Sequence, residues 1–443
     1  MLWYGNWLVP HYEGAPDMWN TKPPLLIWLQ VVSMKFLGIS EFAIRLPAAI
    51  SGLLTAMILF RFSSGYLKNI GAGLLTSMVL CTTMAYLMNH GARTGDYDAL
   101  LVLFMTASAL CFFKYMQGER NYAFHFWILL SMAVLTKGVA GMMLIPGLFI
   151  FLVFQKKLVS TFQHKKIWLG SGVFILLVAG YYLSRETVNP GYLEAVYNNE
   201  IGGRYLETLE AHQHPFDYYY EQMKPRGFRY WFWFVLPAFV AGFLNSSQKI
   251  KTFTLFNFLM VFPLFIILSL GGTKLEWYVL PIYPFLVMQI GWFLYNILKF
   301  TISFISHNYF KKFAALLILA LLFYIPVNNG LKWIHDFKEF PWDVEPHQPG
   351  YWLKNAMERK RNLNDHVVLY EGYSGQIDFY LNRLKKQGIT TELKFQATGL
   401  NKGDKVLVNQ QKIELQLKDK YSLQLLEEKY GCRLYLITGM HEK

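Results

Sequence analysis

The stretch Asp17-Met-Trp-Asn-Thr-Lys-Pro-Pro-Leu-Leu-Ile-Trp-Leu-Gln-Val-Val32 sets an acid, a Lys-Pro-Pro step and two tryptophans directly against an apolar run. Pro23 and Pro24 cannot both lie inside a helix, and the proline after Lys22 forces that lysine into an extended conformation. The spacing predicts a rigid elbow that holds a cation and aromatic rings at the lip of a membrane segment. Such an elbow suits a site that grips a charged headgroup at the bilayer surface. It equally suits a plain interfacial anchor, with Trp19 and Trp28 at headgroup level.

Working outward, the 443 residues are 54% hydrophobic and 17% aromatic, with mean hydropathy +0.24. That composition points to a polytopic α-helical membrane protein. Apolar runs of spanning length predict about ten spans, near 45–63, 70–88, 97–116, 122–137, 138–155, 167–184, 230–245, 253–270, 277–298 and 312–328. The expected organisation is a transmembrane domain over 1–332, with outer-face loops at 1–44 and 185–229, followed by a small soluble α/β domain over 333–443. In that last segment 367–370, 405–408 and 433–437 read as strands, and 375–384 and 410–417 as helices. It carries no nucleotide-binding glycine pattern, and Glu371-Gly-Tyr-Ser-Gly375 reads as a strand-to-helix turn.

The net charge of +13 does not mark a nucleic-acid binder, because its location is wrong. Residues 333–443 are nearly neutral, with 17 basic against 15 acidic residues. The excess sits in alternate loops of the membrane half. Arg61, Lys68, Lys114, Arg120, Lys156, Lys157, Lys165, Lys166, Lys249, Lys251, Lys299, Lys311 and Lys312 are opposed there only by Glu119. This is the positive-inside pattern. It predicts that the first 44 residues, the loops 89–96, 185–229 and 271–276, and the C-terminal domain face outward. An outer-face N-terminal loop normally follows a span or a signal, so a first helix is expected before Met1. Three cysteines, two of them in apolar runs, give neither a disulfide framework nor metal-ligand spacing.

Ionisable residues stand at the outer ends of the spans: Arg93-Thr-Gly-Asp-Tyr-Asp98, Thr136-Lys-Gly138 and Gly271-Gly-Thr-Lys-Leu-Glu-Trp-Tyr-Val-Leu-Pro281. Charges at membrane depth are expensive and face polar cavities when they have a role. Lys22, Arg93, Lys137 and Lys274 are the candidate cradle for a phosphate, which such cations stabilise as a leaving group; the competing reading is snorkelling side chains. Asp96 and Asp98, two apart, would point about 200° apart on a helix. Asp96 is expected to cap the following helix and Asp98 to face the site as a candidate base. Trp19, Glu200 and Trp277 are candidates for the substrate cavity. His212 and His214 have spacing compatible with a metal and with ordinary loop residues. No cofactor motif is present, and a divalent metal stays open.

In order along the chain, Gly5-Asn-Trp-Leu-Val-Pro10, Thr21-Lys-Pro-Pro-Leu25, Glu41-Phe-Ala-Ile-Arg-Leu-Pro47, Arg93-Thr-Gly-Asp-Tyr-Asp98, Leu135-Thr-Lys-Gly138 and Lys274-Leu-Glu-Trp-Tyr-Val-Leu-Pro281 carry a resemblance. The chain resembles the bacterial GT-C glycosyltransferases that use polyprenyl-phosphate sugars, among them the 4-amino-4-deoxy-L-arabinose lipid A transferases and the protein O-mannosyltransferases. The resemblance implies a GT-C fold and an inverting transfer, on the periplasmic face of the inner membrane, from an undecaprenyl-phosphate-linked sugar to lipid A, a glycan or a protein. It matches Lys22 to the lysine that contacts the lipid phosphate and Tyr278 to a tyrosine of the same cavity. It also implies an Asp-Glu pair, with the catalytic Asp, and a first span upstream of where this sequence begins. On that reading either the native start lies earlier or the chain is a truncated, non-catalytic membrane partner. Glu13, Asp17 and Asp98 are the nearby acids that would have to substitute. A lipid-linked-substrate transporter is the alternative class, and it would place charges at mid-membrane with repeat symmetry.

Overall fold

The computed structural model describes residues 1–2, 5–12, 14–88, 90–206, 212–336 and 341–441; Glu13 lies outside them. The chain forms two compact units, Met1–Ile334 and His335–Lys443.

The first unit is a multi-pass helical bundle. Among the described residues seven helices are long and apolar enough to cross a bilayer: Glu41–Leu67, Tyr97–Met116, Tyr122–Met142, Lys165–Val188, Gln248–Leu270, Glu276–Ser303 and Asn308–His335. Side-chain caps set two of the starts. Ser40 Oγ accepts from the Ala43 amide at 3.2 Å, and Asn69 Oδ1 accepts from the Ala72 amide at 3.0 Å.

The ten expected spans therefore reduce to seven of full length. The runs near 70–88, 138–155 and 230–245 hold only the shorter helices Ile70–Cys81, Ile145–Phe154 and Phe232–Phe243. At 1.5 Å per residue a 12-residue helix is about 18 Å long, short of the ~30 Å hydrocarbon core. The breaks have local causes that average hydropathy does not see. Thr82 Oγ1 donates to the Met78 carbonyl at 2.7 Å and Thr83 Oγ1 to the Val79 carbonyl at 2.8 Å, so hydroxyls take the last carbonyls of Ile70–Cys81. Gly138 adopts φ +58°, which ends the Tyr122–Lys137 helix, and a 3₁₀ stretch over Gly138–Met142 intervenes before Pro146 opens the next helix.

Tyr97–Met116 is the central element, with 83% of its apolar window buried. Phe113 packs against Phe62, Phe151 and Phe256, with ring centroids 5.5, 5.8 and 4.7 Å away. Helix Ile145–Phe154 approaches Gln248–Leu270 so closely at Gly147 that an added Cβ would lie 2.1 Å from the Leu259 carbonyl oxygen. The outermost helices are mostly exposed: only 17% of the Lys165–Val188 window and 11% of the Asn308–His335 window is buried. Apolar faces of that kind are what lipid covers.

The Lys-Pro-Pro elbow forms as its prolines demand. Pro24 stands immediately before the helix Leu25–Leu37, and a short hairpin pairs His11–Tyr12 with Ala15–Pro16 ahead of it. The Trp28 indole N–H donates to the Trp7 carbonyl at 2.6 Å, which ties the start of the helix to the segment ahead of the elbow.

The second unit is a five-stranded mixed sheet in the order Thr391–Lys394, His366–Leu369, Lys405–Val408, Cys432–Met440, Tyr421–Lys429. Its first three strands are parallel and its last two pairings antiparallel. Helices Gly375–Lys386 and Gln411–Lys420 follow two of the strands, and Pro341–Glu358 precedes the sheet. Buried Glu414 accepts from Arg433 and from the Tyr435 hydroxyl, each at 2.6 Å; those donors and Lys418 outweigh its burial and hold its carboxyl below the ordinary range.

Candidate functional site

The bundle contains a cavity of about 590 Å³. Eight of the candidate residues line it: Trp19, Lys22, Asp96, Asp98, Lys137, Glu200, Trp277 and Tyr278. They come from five separate stretches of chain, each placed by a local rule.

The elbow supplies Trp19 and Lys22. Asp17 Oδ1 accepts from the amides of Trp19 and Asn20 at 3.0 and 2.9 Å, forming the turn before the lysine. The segment that follows helix Lys165–Val188 then clamps the elbow. The Tyr192 hydroxyl donates to the Thr21 carbonyl at 2.7 Å, and the Asn199 amide reaches the Met18 carbonyl at 3.1 Å. Glu200 completes the clamp: its Oε1 accepts from the Thr21 hydroxyl at 3.2 Å and lies 3.9 Å from Lys22 Nζ. Lys22 also sits 5.8 Å from the centroid of the Tyr97 ring.

Lys137 and Asp98 meet across two helices. Lys137 is the last residue before the Gly138 break, so its side chain leaves the helix end and enters the cavity. Its Nζ lies 2.6 Å from Asp98 Oδ1, with the two residues only 8% and 2% exposed. The ammonium also lies 5.3 Å from the Tyr278 ring centroid. Tyr278 and Trp277 are held on a 3₁₀ segment, Glu276–Ile282, that carries Pro281.

Asp96 departs from its expected role. It occupies the N-cap position of Tyr97–Met116, yet its carboxylate makes no capping hydrogen bond. Because an N-cap residue is not helical, the 200° divergence does not apply. Asp96 Oδ1 and Asp98 Oδ2 instead lie 3.6 and 3.8 Å from one atom, His90 Nδ1.

Two expected members of the cation cradle lie elsewhere. Lys274 Nζ donates to the carbonyls of His214 and Gly271 at 2.9 and 2.8 Å, so it ties the segment around His214 down rather than facing the cavity. Arg93 lies over the Trp333 ring at 5.1 Å and donates to the Ile334 carbonyl at 3.4 Å, at the C-terminal end of the last bundle helix. Neither residue lines the cavity.

His90 and Arg185 are the residues that sequence reasoning missed. His90 lines the cavity with its ring stacked on Trp277, centroids 3.6 Å apart. Arg185 is 1% exposed and donates to the Leu8 carbonyl at 3.1 Å, the Asp17 carbonyl at 3.3 Å and Asn189 Oδ1 at 3.1 Å. It fastens the segment before the elbow to the Lys165–Val188 helix. Replacing it with methionine strands two carbonyls, at about 1–3 kcal/mol each. Arg185→Met is expected to lower the thermal midpoint in detergent and to weaken undecaprenyl phosphate binding together. A lowered midpoint with unchanged binding would separate Arg185 from the elbow. His212 also lines the cavity, whereas His214 stacks on Tyr218 at 4.1 Å. Among the described residues no group of three His, Cys, Asp or Glu side chains is arranged to hold a metal ion.

A multi-pass bundle with a two-lysine, multi-carboxylate cavity at its span ends, joined to a small α/β unit, is the GT-C type of architecture. Comparison with known proteins bears on the same point. Residues 21–182 match the model of the family described as dolichyl-phosphate-mannose-protein mannosyltransferase. An undecaprenyl phosphate-alpha-4-amino-4-deoxy-L-arabinose arabinosyl transferase of Aeromonas hydrophila is 25% identical over 296 residues, covering 65% of this chain and 52% of that protein. An uncharacterized protein of Aquifex aeolicus is 26% identical over 413 residues, covering 92% of this chain and 83% of its own length. The crystal structure of ArnT from Cupriavidus metallidurans bound to undecaprenyl phosphate superposes with a TM-score of 0.70 at 14% identity, over 98% of this chain and 91% of that one. The chain is similar in sequence to these glycosyltransferases over part of its length, and it has the fold of ArnT. It spans about half the length of the arabinosyl transferases it matches.

Proposed function

We propose that this protein transfers a sugar from an undecaprenyl-phosphate-linked donor to a lipid A, glycan or protein acceptor on the periplasmic side of the inner membrane. The observation that carries the reading is the convergence of Lys22 and Lys137 in one cavity, each beside a carboxylate that fixes its position.

Breaking the bond between the sugar and its phosphate leaves added negative charge on the phosphate oxygens. Preorganised cations at that point stabilise the transition state more than the ground state. Lys22 on the rigid elbow and Lys137 at the end of its helix are the two such cations. Asp98 and Glu200 orient them, so these carboxylates act as positioning residues. Trp19, Trp277 and Tyr278 present aromatic faces that suit the prenyl chain or the apolar face of a sugar ring. The basic loops at the opposite ends of the spans support placing the cavity on the outward side.

The test uses purified protein in proteoliposomes, with undecaprenyl-phosphate-linked 4-amino-4-deoxy-L-arabinose and mannose as donors and lipid A and a serine-rich peptide as acceptors. Acceptor-dependent appearance of labelled product is the expected result. Movement of labelled donor between leaflets with no acceptor and no product would replace the transferase with a transporter.

A further inference from the structure

The end of the bundle opposite the cavity carries a second charged cluster, which sugar transfer does not use. Helix Tyr97–Met116 runs from Asp98, in the cavity, to Met116, about 27 Å away along its axis at 1.5 Å per residue. Three lysines from three stretches of chain fold back onto the turn 116–122 at that end. Lys114 Nζ donates to the Tyr122 hydroxyl at 3.0 Å and lies 4.4 Å from the centroid of that ring. Lys157 Nζ donates to the Met116 carbonyl, and Lys166 Nζ to Asn121 Oδ1. Arg120 is exposed on the same turn, and Glu119, 3.9 Å from Lys114 Nζ, is the acid that opposes these cations.

Snorkelling lysines reach out to water, each along its own path. Here they are gathered over one turn, where their mutual repulsion favours an anion beside them. An ammonium has three N–H donors, and each of these bonds uses one. We propose that the turn 116–122, with Lys114, Lys157 and Lys166, binds the phosphate of an anionic glycerophospholipid at a site separate from the cavity. The proposal does not depend on the sugar-transfer reading.

The surroundings suit a lipid better than a soluble phosphate. Lys157 immediately precedes the short helix Leu158–Phe162, whose Val159 and Phe162 side chains are exposed. Lys166 lies at the start of Lys165–Val188, where Trp168 is exposed and its indole N–H donates to the Phe162 carbonyl at 2.7 Å. Exposed aromatic rings beside lysines at the end of a span are what a membrane interface favours. The largely unburied apolar face of Lys165–Val188 continues from there to bilayer depth, and it offers the acyl chains a surface. Basic pockets between spanning helices hold anionic lipid headgroups by the same combination of charge and apolar support.

The test is equilibrium binding of labelled phosphatidylglycerol to the full chain in neutral detergent, against phosphatidylcholine with the same acyl chains. A lysine or arginine beside an anionic headgroup contributes about fivefold in affinity, so phosphatidylglycerol should bind saturably and at least about tenfold more tightly. Lys157→Gln/Lys166→Gln should weaken it by about 25-fold, with phosphatidylcholine and undecaprenyl phosphate binding within about twofold of wild type. Arg120→Gln, an exposed change that leaves the three lysine contacts intact, should weaken it by about fivefold on its own. Lys22→Ala, which removes a cation from the cavity, should leave phosphatidylglycerol binding unchanged. Equal affinity of the wild type for the two lipids would overturn the proposal, as would an unchanged phosphatidylglycerol affinity in either glutamine variant. Loss of phosphatidylglycerol binding in Lys22→Ala would place the lipid in the cavity instead. Competition by glycerol phosphate as strong as by the intact lipid would make this a soluble-phosphate site. Joint loss of phosphatidylglycerol and undecaprenyl phosphate binding in Lys157→Gln/Lys166→Gln would mark the lysines as structural, and each of these three results also contradicts the proposal.

Discussion

Lys22→Ala is expected to reduce sugar transfer by at least about 10²–10³-fold while leaving the protein folded and in the membrane. The magnitude is that of removing one preorganised donor from a developing anion in a water-poor site. The fold should tolerate the change. Lys22 lies on a segment already held by Tyr192, Asn199 and the Asp17 turn, none of which depends on the ammonium. Removing it leaves Glu200 with the Thr21 hydroxyl at 3.2 Å, so the carboxylate is not stranded. Lys22→Arg should not rescue fully, because a guanidinium replaces a compact point charge with a planar fork. Initial rates at saturating donor, with the detergent melting temperature of each variant, check this. A variant with lowered melting temperature and proportionately lowered rate would make Lys22 a structural residue.

Asp98→Asn is expected to act on both folding and function. It leaves the Lys137 ammonium buried beside a neutral amide, and breaking a buried pair by removing one partner costs about 3–5 kcal/mol. The double variant Asp98→Leu, Lys137→Met removes both charges and should regain most of that stability, because well-packed apolar replacements of a buried pair are often neutral or better. Transfer should be lost in the single and double variants alike, since neither keeps an oriented Lys137 at the phosphate. Thermal unfolding of wild type, Asp98→Leu, Lys137→Met and the double variant forms a cycle. A double variant no more stable than the worse single variant would mean that the 2.6 Å contact does not hold the two helices together as described.

The sequence made the membrane class and much of the cavity legible, for identifiable reasons. A Lys-Pro-Pro step admits few backbone conformations, so the elbow could be read locally. Asp98, Lys137 and Tyr278 stand at span ends, where a charge or polar tip has few places to go. What could not be read was direction. Arg93 and Lys274 are cations at span ends like Lys137, yet backbone carbonyls of Ile334, His214 and Gly271 capture them. Only the tertiary path of the chain brings those carbonyls near. His90 was invisible because nothing in its neighbourhood of sequence announces a left-handed histidine. The one available signal was its place six residues before Asp96, on the loop that leads into both acids.

Span lengths failed for a related reason. Hydropathy averages over a window, so Thr82 and Thr83, whose hydroxyls take the last carbonyls of Ile70–Cys81, did not interrupt the apolar run around them. In the C-terminal unit the strands at Thr391–Lys394 and Tyr421–Lys429 were missed. Both are outer strands of the sheet, and their charged residues dilute the strand signal.

The most direct test of the account is the location of undecaprenyl phosphate on the protein, determined from a structure of the complex in lipid nanodiscs. The account predicts the phosphate within about 4 Å of both Lys22 Nζ and Lys137 Nζ, a distance at which two unit charges interact strongly in a protein interior. Lys22→Ala and Lys137→Met should each empty that position. A phosphate bound outside the cavity, with Lys22 still beside Glu200 and Lys137 beside Asp98, would contradict it.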